Sequence, residues 1–236
     1  MKEFDIIDSK PAIYLPDLEL IAIADLHLGL EASMNSRGHY IPEFQLDDIK
    51  EELELLKEET KSDRILINGD LKNQFSTSYS EKREISELLD FLTERFEDII
   101  IIEGNHDTFL EETIEDKGLR MLESYEEDGV LFTHGDKQIE QDFDTLVIGH
   151  EHPALALDDE IGVTEKVSCL LYGETNLGDI IVLPAFSKIS NGSEVNRMSK
   201  SELLSPVLQE TGIKNFNAVA ISREGGVYDF GKIHNL

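Results

Sequence analysis

Tryptophan is absent from this chain, cysteine occurs once, and basic residues are scarce. The lone thiol, Cys169 within VSCLLY, excludes an internal disulfide, and its apolar neighbours make it a small buried hydrophobe. That usage fits a reducing, intracellular setting. The opening MKEFDIIDSK has neither the basic region nor the long apolar core of a signal peptide. No apolar run approaches the roughly 20 residues that cross a bilayer, so the expectation is a soluble, cytoplasmic protein with no membrane partner. Lys and Arg total 21 against 50 Asp and Glu, a formal charge of -29 with the acids spread along the chain. A basic footprint for nucleic acid is therefore missing. Two readings of the acidity stand side by side: a salt-screened cytoplasm, against which the excess of Lys over Arg weighs, and an ordinary acidic surface.

What is present is a globular composition, 40% hydrophobic and 30% charged over 236 residues, enough to bury one substantial core. A single domain, 1–236, is expected. Strand-like apolar runs alternate with amphipathic stretches, the pattern of an α/β sheet with helical crossovers. After Pro42, suited to open a helix, Leu46, Ile49, Leu53 and Leu56 recur at helical spacing. A second helix begins near SYSE, where Ser78 and Glu81 have capping-box spacing, and carries Ile85, Leu88, Leu89, Leu92 and Phe96 on one face. From about Ala154 onward the helical period fades, and short runs between Gly and Asn turns predict mainly strand.

Five apolar runs share one construction: IAIADLH, ILINGD, IIIIEGNHD, VLFTHGD and TLVIGHEH each end in ligand-type residues. Ligands in open α/β sheets bind outside the carboxyl ends of strands, so these tips are expected to converge. They are Asp25 and His27; Asp70; Asn105 and His106; His134; and His150 and His152. A lone His after a strand is ordinarily a hydrogen-bonded loop residue, and Asp after Gly a turn. Five of the seven histidines at such ends, beside two aspartates and an Asn, exceed that explanation, whereas His39 and His234 retain it. Side chains at i and i+2 of extended backbone point the same way, which would bring Asp25 to His27 and His150 to His152. Imidazole, carboxylate and amide oxygen suit borderline-to-hard divalent metals, and the lack of Cys ligands argues against structural zinc or an iron–sulfur cluster. Asp70, with histidines on either side, is placed to be shared by two ions. Glycines 69, 104, 135 and 149 permit sharp turns and close approach beside them.

The ordered set Asp25-Leu26-His27, Gly69-Asp70, Gly104-Asn105-His106-Asp107, His134 and Gly149-His150-Glu151-His152 resembles the calcineurin-like metallophosphoesterases. Within them it is most similar to a prokaryotic branch that includes the DNA ligase-associated members, through ADLHLGLE, RGHYIP, GDLKN, GHEHPA and LPAFSKISNGSEVN. The resemblance implies a four-layer α-β-β-α sandwich of two mixed sheets with flanking helices. It implies one metal on Asp25, His27, Asp70 and His152, a second on Asp70, Asn105, His134 and His150, and His106 acting on the substrate. The ions would be manganese, with iron, zinc, magnesium or nickel as alternatives, spaced about 3.5 to 4 Å for in-line attack by water.

The implied activity is two-metal hydrolysis of a phosphodiester in nucleotides or single-stranded nucleic acid, since so acidic a chain disfavours long duplexes. Alternatives are a phosphomonoesterase or nucleotide phosphatase and a non-catalytic metal-binding scaffold. DNA-repair partners follow from the resemblance alone. Arg37 is a candidate phosphate contact against its ordinary reading as a surface ion-pair partner, and SNGSEVN lines the cleft by the same resemblance or is simply a polar turn. Asn73 departs from relatives that carry His there.

Overall fold

The computed structural model describes residues 2–36, 38, 39, 42, 44–74, 79–158, 162–190 and 192–236. Strands β1 (Asp5–Ile6), β2 (Ile13–Leu15) and β3 (Leu20–Ile23) pair antiparallel in turn. Three parallel strands then extend the sheet from β3: β4 (Arg64–Asn68), β5 (Asp98–Ile102) and β6 (Met121–Leu122). Parallel neighbours require crossovers. Helices α1 (Leu30–Ser36) and α2 (Gln45–Thr60) link β3 to β4, α3 (Tyr79–Arg95) links β4 to β5, and α4 (Glu111–Glu115) precedes β6.

The helical spacing read from the sequence has its structural counterpart. Ile49, Leu53 and Leu56 of α2, and Ile85, Leu88, Leu89 and Leu92 of α3, are buried against Ile21, Ile23, Ile65 and Ile67 of the first sheet. Helix α2 starts at Gln45, so Pro42 precedes it and does not open it. Ser78 lies outside the described residues. Glu81, expected as its capping partner, is buried and accepts the N–H of Gln74 at 3.3 Å.

The second sheet comprises β7 (Tyr125–Glu127), β8 (Val130–Phe132), β9 (Thr145–Ile148), β10 (Pro153–Asp158), β11 (Thr164–Glu174), β12 (Asp179–Val182), β13 (Ser193–Glu194), β14 (Asn217–Ser222) and β15 (Gly226–Lys232). Its main order is β13-β10-β11-β12-β9-β8-β7, with β14 also on β11 and β15 on β14. The strands β8, β9 and β12 run parallel, while β10, β14 and β15 add antiparallel pairs, so both sheets are mixed. They face each other across Leu20, Leu66 and Ile102 from the first and Phe132, Val147 and Ile181 from the second. Outside the second sheet lies one six-residue helix, α5 (Pro206–Thr211), and loop residues Val195, Leu203 and Ile213 complete the cover. The expected four layers are present, the fourth being thin where the sequence loses its helical period. Cys169 is buried there, and burial pushes its thiol pKa up, as a small hydrophobe requires. Among the described residues no helix is long and apolar enough to cross a membrane.

Asn68, at the end of β4, is buried and donates to the Val147 carbonyl of β9 at 3.1 Å. This bond ties the rim of one sheet to the rim of the other. The apolar side chains between the sheets hold that rim from below. Leu66 is fully buried there, so Leu66→Ala is expected to cost about 2 to 5 kcal/mol. A urea titration would read this as a lower midpoint with an unchanged slope.

Candidate metal centre

Beyond the carboxyl ends of β3, β4, β5, β8 and β9 the predicted polar tips meet. Backbone hydrogen bonds run on past the strands: Asp25 N–H to the Gly69 carbonyl (3.0 Å), His27 N–H to Asp70 (2.9 Å) and Leu28 N–H to Leu71 (2.8 Å). The loops after β3 and β4 are thus laced side by side. Convergence of the i and i+2 pairs does not use extended backbone, as the sequence reading supposed. Asp25 (φ 58°), His27 (47°), Asp70 (54°), His150 (63°) and His152 (44°) are all left-handed. A non-glycine residue in this region carries about 1 kcal/mol or more of strain and persists only when its surroundings over-determine it. Here successive left-handed residues turn both members of each pair into one space.

Two glycines make the approach possible. A Cβ on Gly104 would lie 2.2 Å from Asp70 Oδ1, and one on Gly69, itself at φ 86°, 2.2 Å from Nδ1 of His134. Any side chain at either place would displace a proposed ligand.

One group brings Asp25, His27, Asp70 and His152 together, with donor atoms all within 4.8 Å of one another. Asp25 Oδ1 is 3.2 Å from His152 Nε2, and the Nε2 atoms of His27 and His152 stand 3.1 Å apart. Beside it, His134 Nε2 is 3.1 Å from Asn105 Oδ1 and 3.4 Å from Asp70 Oδ2, and the His134 and His150 rings are 5.0 Å apart. Asp70 Oδ2 is also 3.8 Å from His27 Nε2, so one carboxylate oxygen faces both groups. All seven residues expected as ligands are therefore in one cluster.

The buried carboxylates and imidazoles set one another's charge. Burial works against the charge on Asp25, yet His152, then His134 and His27, hold its carboxyl well below the usual range. Asp70 is held down against burial by His134. Burial lowers His27 to about 4 and also lowers His150, with His134 adding to the shift. His134 is buried, but Asp70 and Asp25 raise it to about 9, and Asp25 raises His152. The imidazoles cannot all be protonated together. Because His134 Nδ1 is engaged by the Asn68 carbonyl at 3.1 Å, its Nε2 lone pair faces two oxygens, an arrangement that needs a proton or a metal ion between them. This mixture of imidazole, carboxylate and amide oxygen fits divalent metal.

His106 sits at the edge of the cluster, its side chain 23% exposed and its Nε2 3.9 Å from Asp70 Oδ2. Its N–H donates to Asp70 Oδ1 at 2.9 Å, and its Nδ1 meets the Asn73 carbonyl. The contact from position 73 to His106 is thus made by backbone. Arg37 lies outside the described residues. His39 and His234 are exposed and are not among the clustered residues, the latter bonded to the Lys214 carbonyl.

Several supports were not legible in the sequence. Gln45 Nε2 donates to the carbonyls of Leu26 (3.0 Å) and His27 (2.9 Å). Asp107, raised to about 7 by burial and by Asp70, accepts the N–H groups of Gly104 (2.9 Å) and Lys72 (3.3 Å), fastening the β5 loop to the β4 loop. Buried Glu151 accepts the N–H groups of Leu204 and Ser205. Only Asp107 and Glu151 carried a signal, their places inside the motifs. Ser190 of SNGSEVN is hydrogen-bonded to His152 Nδ1 at 3.1 Å, whereas Asn191 lies outside the described residues.

If Asp70 Oδ2 serves both groups, Asp70→Asn should remove more bound divalent metal than Asn105→Ala. Elemental analysis after loading and desalting would show it, and near-normal occupancy in the Asp70 variant would exclude the shared role.

No curated protein matches the sequence. The crystal structure of the nuclease MPE from Pseudomonas putida matches with a TM-score of 0.66 at 15% identity, covering 97% of this chain and 100% of that one, a likeness of fold. The family model for calcineurin-like phosphoesterase matches residues 18–151, more than half of the chain and nearly all of the residues gathered here. The chain belongs to the calcineurin-like phosphoesterase family and is a metal-dependent phosphoesterase.

Proposed function

We propose that the protein hydrolyses phosphodiester bonds in nucleotides or single-stranded nucleic acid with two divalent ions, manganese first and iron, zinc, magnesium or nickel as alternatives. The observation that carries the reading is the single Asp70 oxygen facing His27 on one side and His134 on the other. In this assignment Asp25, His27, Asp70 and His152 hold the first ion, and Asp70, Asn105, His134 and His150 the second. Bound divalent ions supply activated water and neutralise phosphoryl charge.

The chain's own residues do the rest. Asn68 orients His134 through Nδ1, and Ser190 does the same for His152, so that in each ring Nε2 is presented to the centre. The Asn73 carbonyl fixes the His106 ring by its Nδ1, leaving Nε2 as the group that gives a proton to the departing oxygen. The fold shared with a Pseudomonas nuclease supports a nucleic-acid substrate. The formal charge of -29 favours short or unpaired strands over duplexes, whose charge is denser.

The test compares two leaving groups on the manganese-loaded protein, with activity first shown to vanish on verified metal removal. General acid help is worth roughly 10² to 10⁴ in rate and matters most for a poor leaving group. His106→Ala should lose far more activity on a dinucleotide than on bis(4-nitrophenyl) phosphate while its metal content stays normal. Equal losses on both would assign His106 to positioning or charge stabilisation, and loss of metal would make it a structural support of the ions.

A further inference from the structure

A cleft of about 900 Å³ adjoins the metal centre through His152, which lines it together with Ser190, the hydroxyl hydrogen-bonded to that ring's Nδ1. Strands β10, β11, β14 and β15 form much of the remainder, with Lys188 and Arg223 contributed by loops. The charged side chains of its lining are Lys166, Lys188, Arg223 and Glu165. Acids outside the lining seat these cations: Glu52 holds Arg223 at 2.7 Å and Lys188 at 3.4 Å, Asp48 also holds Lys188 at 3.0 Å, and Glu194 holds Lys166 at 3.3 Å. Lys188 and Lys166 nevertheless keep 41% and 38% of their side chains exposed.

The cleft also carries an aromatic face. Tyr228 of β15 is 54% exposed, and its hydroxyl donates to the Gly225 carbonyl at 2.6 Å, which fixes the ring. Leu157, Val167 and Phe230 add apolar lining to the cleft. An anchored aromatic ring, apolar walls and spaced cations together match the requirements of unpaired nucleotides, whose bases stack while their backbone meets Lys and Arg. A duplex shows only phosphates and groove edges, and stacking offers it nothing here.

We infer that this cleft receives the unpaired nucleotides flanking the scissile phosphate, with Tyr228 as a stacking platform and Lys166 and Lys188 as backbone contacts. The inference rests on the nucleic-acid reading proposed above. It makes strand length a determinant of affinity, which the metal centre alone, recognising a phosphoryl group, would not.

The experiment measures kcat/KM of the manganese-loaded full chain on oligothymidylates from about two to about ten nucleotides long and on bis(4-nitrophenyl) phosphate. KM should fall with length until the cleft is filled. Tyr228→Ala should lower the ratio of oligonucleotide to nitrophenyl kcat/KM by about tenfold, Tyr228→Phe should restore it, and Lys166→Gln should reduce the salt slope of oligonucleotide KM by about 0.7. A length-independent KM, or an unchanged ratio in Tyr228→Ala, overturns the cleft assignment alone. Hydrolysis of the nitrophenyl diester with none of any oligonucleotide overturns the nucleic-acid reading as well.

Discussion

The rim of this protein is organised around two carboxylates kept out of water among imidazoles. Asp25 and Asp70 are buried, 0% and 2% exposed, and a buried charge without compensation costs several kcal/mol. Histidines supply part of it, but His27 and His150 are pushed toward neutrality by the same burial that penalises the acids. Protons on His134 and His152 can balance the two carboxylates, and a divalent cation can take the place of those protons. A formal charge of -29 gives no such help, so the attraction for a phosphate substrate has to originate at the centre.

That arrangement stresses the backbone. Five proposed ligands sit at positive φ, and each must be held there by its neighbours. The holding groups are identifiable: the Gln45 amide on the carbonyls of Leu26 and His27, Asp107 across the β4 and β5 loops, and Asn68 spanning the sheets. The apolar layer between the sheets supplies the rigid base to which these loops are attached. Strain at the rim and close packing beneath it are therefore two aspects of one structure.

The strands and their polar tips were legible because each is a local pattern: an apolar run, then Gly, Asp, Asn or His. Helices α2 and α3 were equally plain from their spacing of Ile and Leu. The manner of convergence was not, since left-handed backbone at Asp25, His27, His150 and His152 is imposed by contacts between loops distant in sequence. Gln45 was invisible for a similar reason: at the start of a surface helix nothing local marks it as the support of His27. The membership of Asn105 and His150 in the cluster was legible from their places at strand ends, and the resemblance of motifs added only the division of the ligands between two ions.

The sharing of Asp70 between two ions is the central claim. Electron paramagnetic resonance of the manganese-loaded protein tests it most directly, because ions about 3.5 to 4 Å apart on a common carboxylate couple magnetically. Expected is an exchange-coupled multiline spectrum at two ions per chain, replaced in Asp70→Asn by uncoupled signal. A six-line spectrum of isolated manganese at full loading of the unaltered protein would contradict the shared site.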